Sequence, residues 1–129
     1  MSDPSDSTAL GGAYRVRRAD GPVIAQVAVP PSKSIVNRAL VCAALADGTS
    51  EITGVAPGDD TAAMIDCLQQ LGCGIGLRRD GEHHVADVIG TGAELTPGPM
   101  RLDAGLAGTT SRFVTAVCAL GEGEYTVDG

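Results

Sequence analysis

The sequence of 129 residues carries a formal net charge of −7 and has a pI of about 4.5, a balance that argues against an extended nucleic-acid-binding surface or a polybasic membrane patch. Of its residues 43% are hydrophobic but only 2% are aromatic, so its core must consist of aliphatic side chains. No apolar run approaches the roughly 20 residues of a membrane span, so we expect a soluble domain.

The first residues of the chain, 1–13, are polar and lack the basic start and long apolar stretch of a signal peptide. We therefore interpret them as a flexible leader and expect the domain that follows, residues 14–129, to be cytoplasmic. The cysteines show no CxxC spacing, which predicts reduced thiols rather than a zinc site or disulfides: Cys42, Cys67, Cys73 and Cys118.

The first predicted elements are two strands within residues 14–29, separated at Asp20–Pro22. The segment "SKSIVNRALVCAALADG" then predicts a helix, because good helix formers fill its interior, Ser32 or Ser34 can cap its start and Gly48 can end it. The alternating segment "TSEITGV" that follows predicts a short strand.

The segment "GDDTAAMIDCLQQLG" predicts a second helix, with Asp59 or Asp60 as a cap and Gly72 just past its end. Next, "CGIGLRR" and "EHHVADVIG" predict a hairpin that turns at Asp80-Gly81. The last segments, "MRLDA", "GTTSRFVTAVCALG" and "EYTVDG", predict a strand, a helix and a strand. The second helix has an apolar stripe that would face the core: Ala63, Cys67 and Leu71, flanked by Met64 and Leu68.

The predicted order, β-α-β-α-β-β followed by β-α-β, indicates a structural repeat. Gly48 and Gly123 match at an offset of 75 residues, and at the same offset Lys33-Ser34 in the first helix meets Gly108-Thr109 in the third. The chain is therefore predicted to be an α/β (α+β) domain with one unit and part of a second.

A lysine at the start of the first helix is electrostatically unfavourable, because the amino-terminal end of a helix dipole is positive. Lys33 occupies this place, while Ser34 and Arg38 lie four residues apart and hence on one face of the helix. Together these groups suit a phosphate or carboxylate, whose negative charge would offset the repulsion between the lysine and the helix dipole. The alternative is that Lys33 is solvated and Ser34 only caps the helix.

The corresponding start of the third helix offers Gly108, where a ligand can approach the backbone closely, and Thr109, which could cap the helix or donate its hydroxyl. An ordinary glycine turn before a helix explains the same residues.

Three other polar segments carry less information about function. "PPSKS" lacks the glycines of a nucleotide-binding P-loop. Asp59-Asp60 could cap the second helix or face a substrate. His83 and His84 are adjacent on a strand and so point in opposite directions, which predicts that they share no metal.

Taken together, "PPSKSIVNRALVCAALADGTSEITG", "GDDTAAMIDCLQQLG" and "LDAGLAGTTSRF" resemble the amino-terminal part of the 3-phosphoshikimate 1-carboxyvinyltransferase (EPSP synthase) family. The resemblance runs from about Val23 to Gly129, and its most specific part is the S-K-S-x-x-N-R-A-L motif, Ser32–Leu40. It implies the enolpyruvyl-transferase fold, in which β-α-β-α-β-β units surround pseudo-threefold axes in two domains with the active site between them.

The resemblance also implies an activity: transfer of the enolpyruvyl group of phosphoenolpyruvate to shikimate 3-phosphate, in aromatic amino-acid biosynthesis, with no metal or cofactor. Carried over by motif, Lys33, Ser34 and Arg38 would bind shikimate 3-phosphate, and Lys33, Gly108 and Thr109 would bind phosphoenolpyruvate. The intact enzyme would be a monomer whose partners are these two small anions.

Enzymes of this family are far longer than the present chain, so the resemblance places a phosphoenolpyruvate-binding arginine and the general base outside it. We therefore expect no catalytic residue within the chain and no turnover by the chain alone. Pro31, Leu106 and Phe113 stand where many members have Gly, Asn and Pro, so the fine geometry of the pocket is expected to differ.

Two alternatives stay open at this point. UDP-N-acetylglucosamine enolpyruvyltransferases have the same fold and the same donor, but their motif typically has Lys-Asn where this chain has Lys33-Ser34. The other alternative is a non-catalytic module that binds an anion.

Overall fold

The computed structural model describes residues 16–27, 29–56, 58–81 and 83–129. The helices within these ranges are α1 (Lys33–Leu45), α2 (Asp59–Gln70) and α3 (Gly108–Cys118), and the strands are β1 (Thr49–Val55), β2 (Gly74–Asp80), β3 (His83–Ile89), β4 (Met100–Asp103) and β5 (Tyr125–Asp128). From residue 33 onwards, each element predicted from the sequence is confirmed. None of the helices in the described ranges is long and apolar enough to cross a bilayer.

The prediction of two strands within residues 14–29 is wrong for the described part of that segment. Residues 16–27 and 29 form neither strand nor helix, whereas residues 14, 15 and 28 lie outside the described residues. A strand needs a partner for its backbone N–H and C=O groups, and none of the described strands pairs with this segment. Its apolar side chains are between 75% and 97% exposed: Val16, Val23, Ile24, Val27 and Val29.

Two backbone features confirm the predicted repeat. The chain leaves α1 and turns through Gly48 at φ +99°, a left-handed conformation that favours glycine. Gly123, which lies 75 positions later, has φ +98°, and α3 also begins 75 positions after α1. The two segments therefore match in backbone conformation as well as in sequence.

The strands form two small sheets. β3 lies between β1 and β2 in an antiparallel sheet, and β4 pairs with β5 in parallel. The hairpin turns at the predicted place, because Asp80 pairs with His83 and Gly81 has φ +60°. On the outer face of the first sheet, Arg78 donates to Asp87 at 2.8 Å and pairs with Glu51, so one arginine connects all three strands.

The inner face of the sheet and the helices enclose an aliphatic core. The largest fully buried apolar side chains come from all three helices and from strands of both sheets: Leu40, Met64, Leu68, Leu71, Leu102, Val85, Val88 and Val114. The predicted apolar stripe of α2 is confirmed except for Ala63, which is only half-buried. The reason is that the buried face of the helix is centred on the side that carries Thr61 and Ile65.

The cysteines are free thiols, as predicted. Cys67 is fully buried, and its Sγ lies 3.3 Å from the carbonyl oxygen of Asp103, to which it donates. Burial raises the pKa of the Cys67 thiol to about 11, with smaller contributions from the Asp66 and Asp103 carboxylates. Cys67 is therefore a structural thiol of the core rather than a nucleophile.

Candidate functional site

The amino-terminal ends of the three helices converge. Lys33 at the start of α1 extends to Gly58, the residue before α2, and a Cβ added to Gly58 would lie 3.4 Å from Lys33 Nζ. In the first turn of α3, Thr110 Oγ1 donates to the carbonyl oxygen of Asp60, in the first turn of α2, at 3.1 Å. The start of α2 therefore contacts the starts of both other helices.

A third contact connects α1 directly with α3. The guanidinium carbon Cζ of Arg38 lies 5.3 Å from the centroid of the Phe113 ring. Arg38 also donates from Nη1 to the carbonyl oxygen of Ser34, one turn earlier on α1, at 2.8 Å. Because 5.3 Å lies within the range of a cation–π interaction, the two helices are joined by a charged group rather than by apolar contacts alone.

The helix starts are not capped by side chains within the described residues. Their N-cap residues are Ser32, Gly58 and Ala107, and none of these makes a side-chain capping bond. The N-cap residues therefore give the first backbone N–H groups of each helix no side-chain acceptor, and such groups can bind an anion. Ser32 occupies the N-cap position of α1, one of the two predicted places, and α2 begins at Asp59 as predicted. The predictions that Ser34, Thr109, Asp59 or Asp60 would act as caps are wrong.

These residues do not cap because of the position at which each helix begins. Ser34, Thr109 and Asp60 are second residues of their helices, and Asp59 is a first residue, so each already has helical backbone angles. A cap must lie one residue before the helix with non-helical angles. As residues of the first turn, Asp59 and Asp60 still interact favourably with the dipole of α2.

The charges around α1 and α3 differ from those around α2. The described first turns of α1 and α3 contain no acidic side chain, whereas α2 begins with two. Ion pairs among the described residues join Arg78 to Glu51 and Asp87, and Arg101 to Asp128. Within that part of the chain, no carboxylate neutralises Lys33 or Arg38, and both side chains are exposed.

Gly108 and Thr109 lie on the open side of α3. A Cβ built on Gly108 would have no heavy atom within 4 Å, so the backbone there faces empty space. Thr109 is exposed, and one turn later Phe113 contacts Arg38. The structure thus brings the predicted residues of α1 and α3 to neighbouring helix starts, while their binding roles stay a prediction.

Each helix also carries one buried polar side chain close to its start: Asn37, Thr61 and Thr110, which are at most 2% exposed. Thr110 is bonded to α2, but Asn37 Oδ1 and Thr61 Oγ1 have no hydrogen-bond partner among the described residues. Thr110 is therefore the buried polar side chain that connects two of the helix starts through a hydrogen bond.

Sequence reasoning missed Gly58 and Phe113. Nothing in the sequence around Gly58 shows that a lysine from another helix lies beside it. Phe113 is the single phenylalanine in 129 residues, and this rarity is the one sequence signal for a specific contact of its ring.

Comparison with known proteins adds independent information. Residues 18–129 match the family model of EPSP synthase (3-phosphoshikimate 1-carboxyvinyltransferase). Among curated relatives of that name, the protein from a Nostoc species is 44% identical over 110 residues, which cover 84% of this chain and 25% of the relative. The Rhizobium etli protein is 46% identical over 103 residues, which cover 79% of this chain and 24% of the relative.

A solved structure supports the same assignment of the fold. The EPSP synthase of Acinetobacter baumannii is similar with a TM-score of 0.60 and 26% sequence identity, over 70% of this chain and 20% of that chain. The present chain therefore spans about a quarter of the length of the curated relatives it matches.

Proposed function

Because this chain belongs to the EPSP synthase family, we propose that it contributes part of the substrate site of a 3-phosphoshikimate 1-carboxyvinyltransferase. In this reaction the 5-hydroxyl of shikimate 3-phosphate receives the enolpyruvyl group of phosphoenolpyruvate, and inorganic phosphate is released. The observation that carries the proposal is the pair of exposed cations, Lys33 and Arg38, which no described carboxylate neutralises, at helix starts that converge.

Both substrates are anions, so a site that binds them together must offset several negative charges in a small volume. Three features of the described residues support such a site. Lys33 supplies a point charge between the starts of α1 and α2, and Arg38 supplies a planar fork that matches phosphate or carboxylate. The uncapped first turns add backbone N–H groups and the positive ends of the helix dipoles.

The proposed roles follow this arrangement. Lys33 contacts both substrates, because its ammonium lies beside the start of α2, which in turn contacts the start of α3. Ser34 and Arg38 hold shikimate 3-phosphate, and the open backbone at Gly108, with Thr109 beside it, forms the part of the site that receives phosphoenolpyruvate. Donors held in place in this way offset the negative charges of the two bound substrates, which is the contribution we assign to these residues.

We assign no catalytic residue to this chain and propose that the 129 residues alone do not turn over substrate. The proposed site binds anions through cations and backbone donors, and we assign no proton-transfer role to its side chains. A chain that spans a quarter of its relatives would bind substrate with part of the contacts and would lack the groups that transfer the proton. Steady release of phosphate by the purified chain would contradict this.

Binding by the chain tests the proposal. In ¹⁵N-edited NMR titrations, shikimate 3-phosphate should shift the amides of residues 33–38 in a saturable manner, and phosphoenolpyruvate should shift those of Lys33 and residues 108–109. UDP-N-acetylglucosamine, the acceptor of the related enolpyruvyl transferases, should cause no saturable shift. Saturation by that nucleotide sugar but not by shikimate 3-phosphate would contradict the proposed acceptor.

We also propose a cytoplasmic location. The free thiols support it, because cysteines in an oxidising compartment commonly form disulfides.

A further inference from the structure

The ring of Phe113 faces the Arg38 guanidinium across the junction of α1 and α3. The distance of 5.3 Å from Arg38 Cζ to the ring centroid lies within the roughly 6 Å over which an aromatic face attracts a cation. On its own helix, Arg38 is held by the hydrogen bond from Nη1 to Ser34 O at 2.8 Å. Two contacts in different directions therefore position a side chain that is otherwise exposed.

We propose that Phe113 is a positioning residue of the anion site, because its ring holds the Arg38 guanidinium between the starts of α1 and α3 with N–H groups free to bind a phosphate. This inference rests on the proposed function, since the ligand of Arg38 is the anionic substrate. It extends that function because Phe113 does not itself contact the ligand and acts through Arg38.

The chemistry of the contact suits a residue that must present a cation. An aromatic ring interacts with the flat face of the guanidinium and leaves the in-plane N–H groups available. A carboxylate would occupy those N–H groups and cancel the charge, as Asp87 and Glu51 do for Arg78. Phe113 thus orients Arg38 without competing with an anionic ligand.

The position of Phe113 makes it a fixed platform. The ring is half-buried and packs against the core, and this packing restricts its side-chain rotation. It lies four residues after Thr109, which places both on one face of α3. Arg38 is consequently drawn towards the face of α3 that carries the exposed Thr109.

Packing alone does not account for a ring at this position. A leucine would also fill a half-buried site against an aliphatic core, but it has no π-face to attract a cation. An exposed arginine that loses its ring partner regains many rotamers, and ligand binding must then restrict them again. The expected cost of losing the ring is therefore weaker anion binding.

The chain itself is suitable for the test, with inorganic phosphate as the probe at constant ionic strength. Phe113→Leu should weaken phosphate binding about two- to five-fold, the range expected for an exposed cation–π contact. Phe113→Tyr keeps the ring and should restore the wild-type affinity. In the wild type, the ring should shift the Arg38 Nε–Hε resonance upfield; this shift should vanish in Phe113→Leu and persist in Phe113→Tyr.

The outcomes separate this inference from the proposed function. If the wild type shows no saturable phosphate binding, both the proposed anion site and the role of Phe113 are overturned. If the wild type and Phe113→Leu bind phosphate equally, or if Phe113→Tyr fails to restore binding, the role of Phe113 is overturned and the site stands. A loss of unfolding free energy in Phe113→Leu with unchanged affinity would show a structural role only.

A second variant covers the case in which Phe113→Leu does not fold. Arg38→Lys keeps the positive charge at an exposed position but removes the planar group that stacks on the ring. It should fold as the wild type does and bind phosphate more weakly. Equal phosphate affinity of Arg38→Lys and the wild type would overturn the inference.

Discussion

The ammonium of Lys33 lies beside Gly58, close to where a side chain at position 58 would stand. A Cβ at that position would be 3.4 Å from both Cε and Nζ of the lysine. Gly58 has φ 171°, an extended conformation that any residue can adopt. The backbone at position 58 therefore does not require glycine, but a side chain larger than methyl would clash with the lysine from the neighbouring helix.

A side chain larger than methyl at position 58 should displace Lys33. Gly58→Val is expected to weaken phosphate binding by the chain about ten-fold, the effect of losing one charge-assisted hydrogen bond. Gly58→Ala is the matched control, because a Cβ at 3.4 Å is an ordinary contact and should change the affinity little. The two dissociation constants from NMR titration check this, and equal values would contradict it.

Removal of the lysine itself should have a larger effect. Lys33→Ala is expected to weaken phosphate binding by the chain more than ten-fold, because it removes the cation proposed to contact both substrates. For the same reason, it should severely lower the activity of a full-length enzyme that contains this segment. The control is Arg101→Ala, which removes the same charge from an exposed site paired with Asp128. If both variants bound phosphate equally weakly, the lysine would act only through net charge.

The buried thiol of Cys67 should make stability depend on alkaline pH. Its pKa rises from an ordinary value of 9.0 to about 11, so the folded chain keeps this proton more tightly than the unfolded chain. The stabilisation is fully present below pH 9 and is lost as the pH rises towards 11, with a slope of at most about 1.4 kcal/mol per pH unit.

Urea unfolding between pH 8 and pH 10.5 measures this slope. Cys67→Ala lowers the stability at every pH because it leaves a cavity, but its stability should fall less steeply with pH than that of the wild type. Cys73 and Cys118, whose pKa values are also raised by burial, remain in both proteins, so the difference isolates Cys67. Parallel curves for the two proteins would exclude the effect.

Gly90 should tolerate no side chain. A Cβ on Gly90 would lie 2.1 Å from the carbonyl oxygen of Ala46 and 2.5 Å from that of Ala43, at the end of α1. We expect Gly90→Ala to lower the free energy of unfolding by roughly 3 kcal/mol or more, because the backbone must shift to relieve these clashes. Gly76→Ala, on β2 with nothing within 4 Å of the added Cβ, is the matched control and should be nearly neutral in urea denaturation.

The parts of the fold that the sequence predicted have local causes. The start of α1 follows from good helix formers after a serine, and the turn at Gly48 from a backbone conformation that glycine favours. The equivalent start of α3 followed from the offset to Gly108. Such signals depend on a few neighbouring residues and can therefore be read from the sequence.

The errors and omissions concern contacts between distant segments. Residues 16–27 have the apolar pattern of strands, but a pattern cannot show whether a partner strand is present. Similarly, the approach of Lys33 to Gly58 and of Arg38 to Phe113 depends on how the helices pack. The residues of the candidate site were thus predictable one helix at a time, whereas their arrangement was not.

The two copies of the repeat lack different pieces within the described residues. The first has the hairpin β2–β3, but residues 25–27, which lie 75 positions before the start of β4, form no strand. The second has the parallel pair β4–β5. A unit with all six elements therefore combines the leading strand seen as β4 in the second copy with the second helix and the hairpin seen as α2 and β2–β3 in the first.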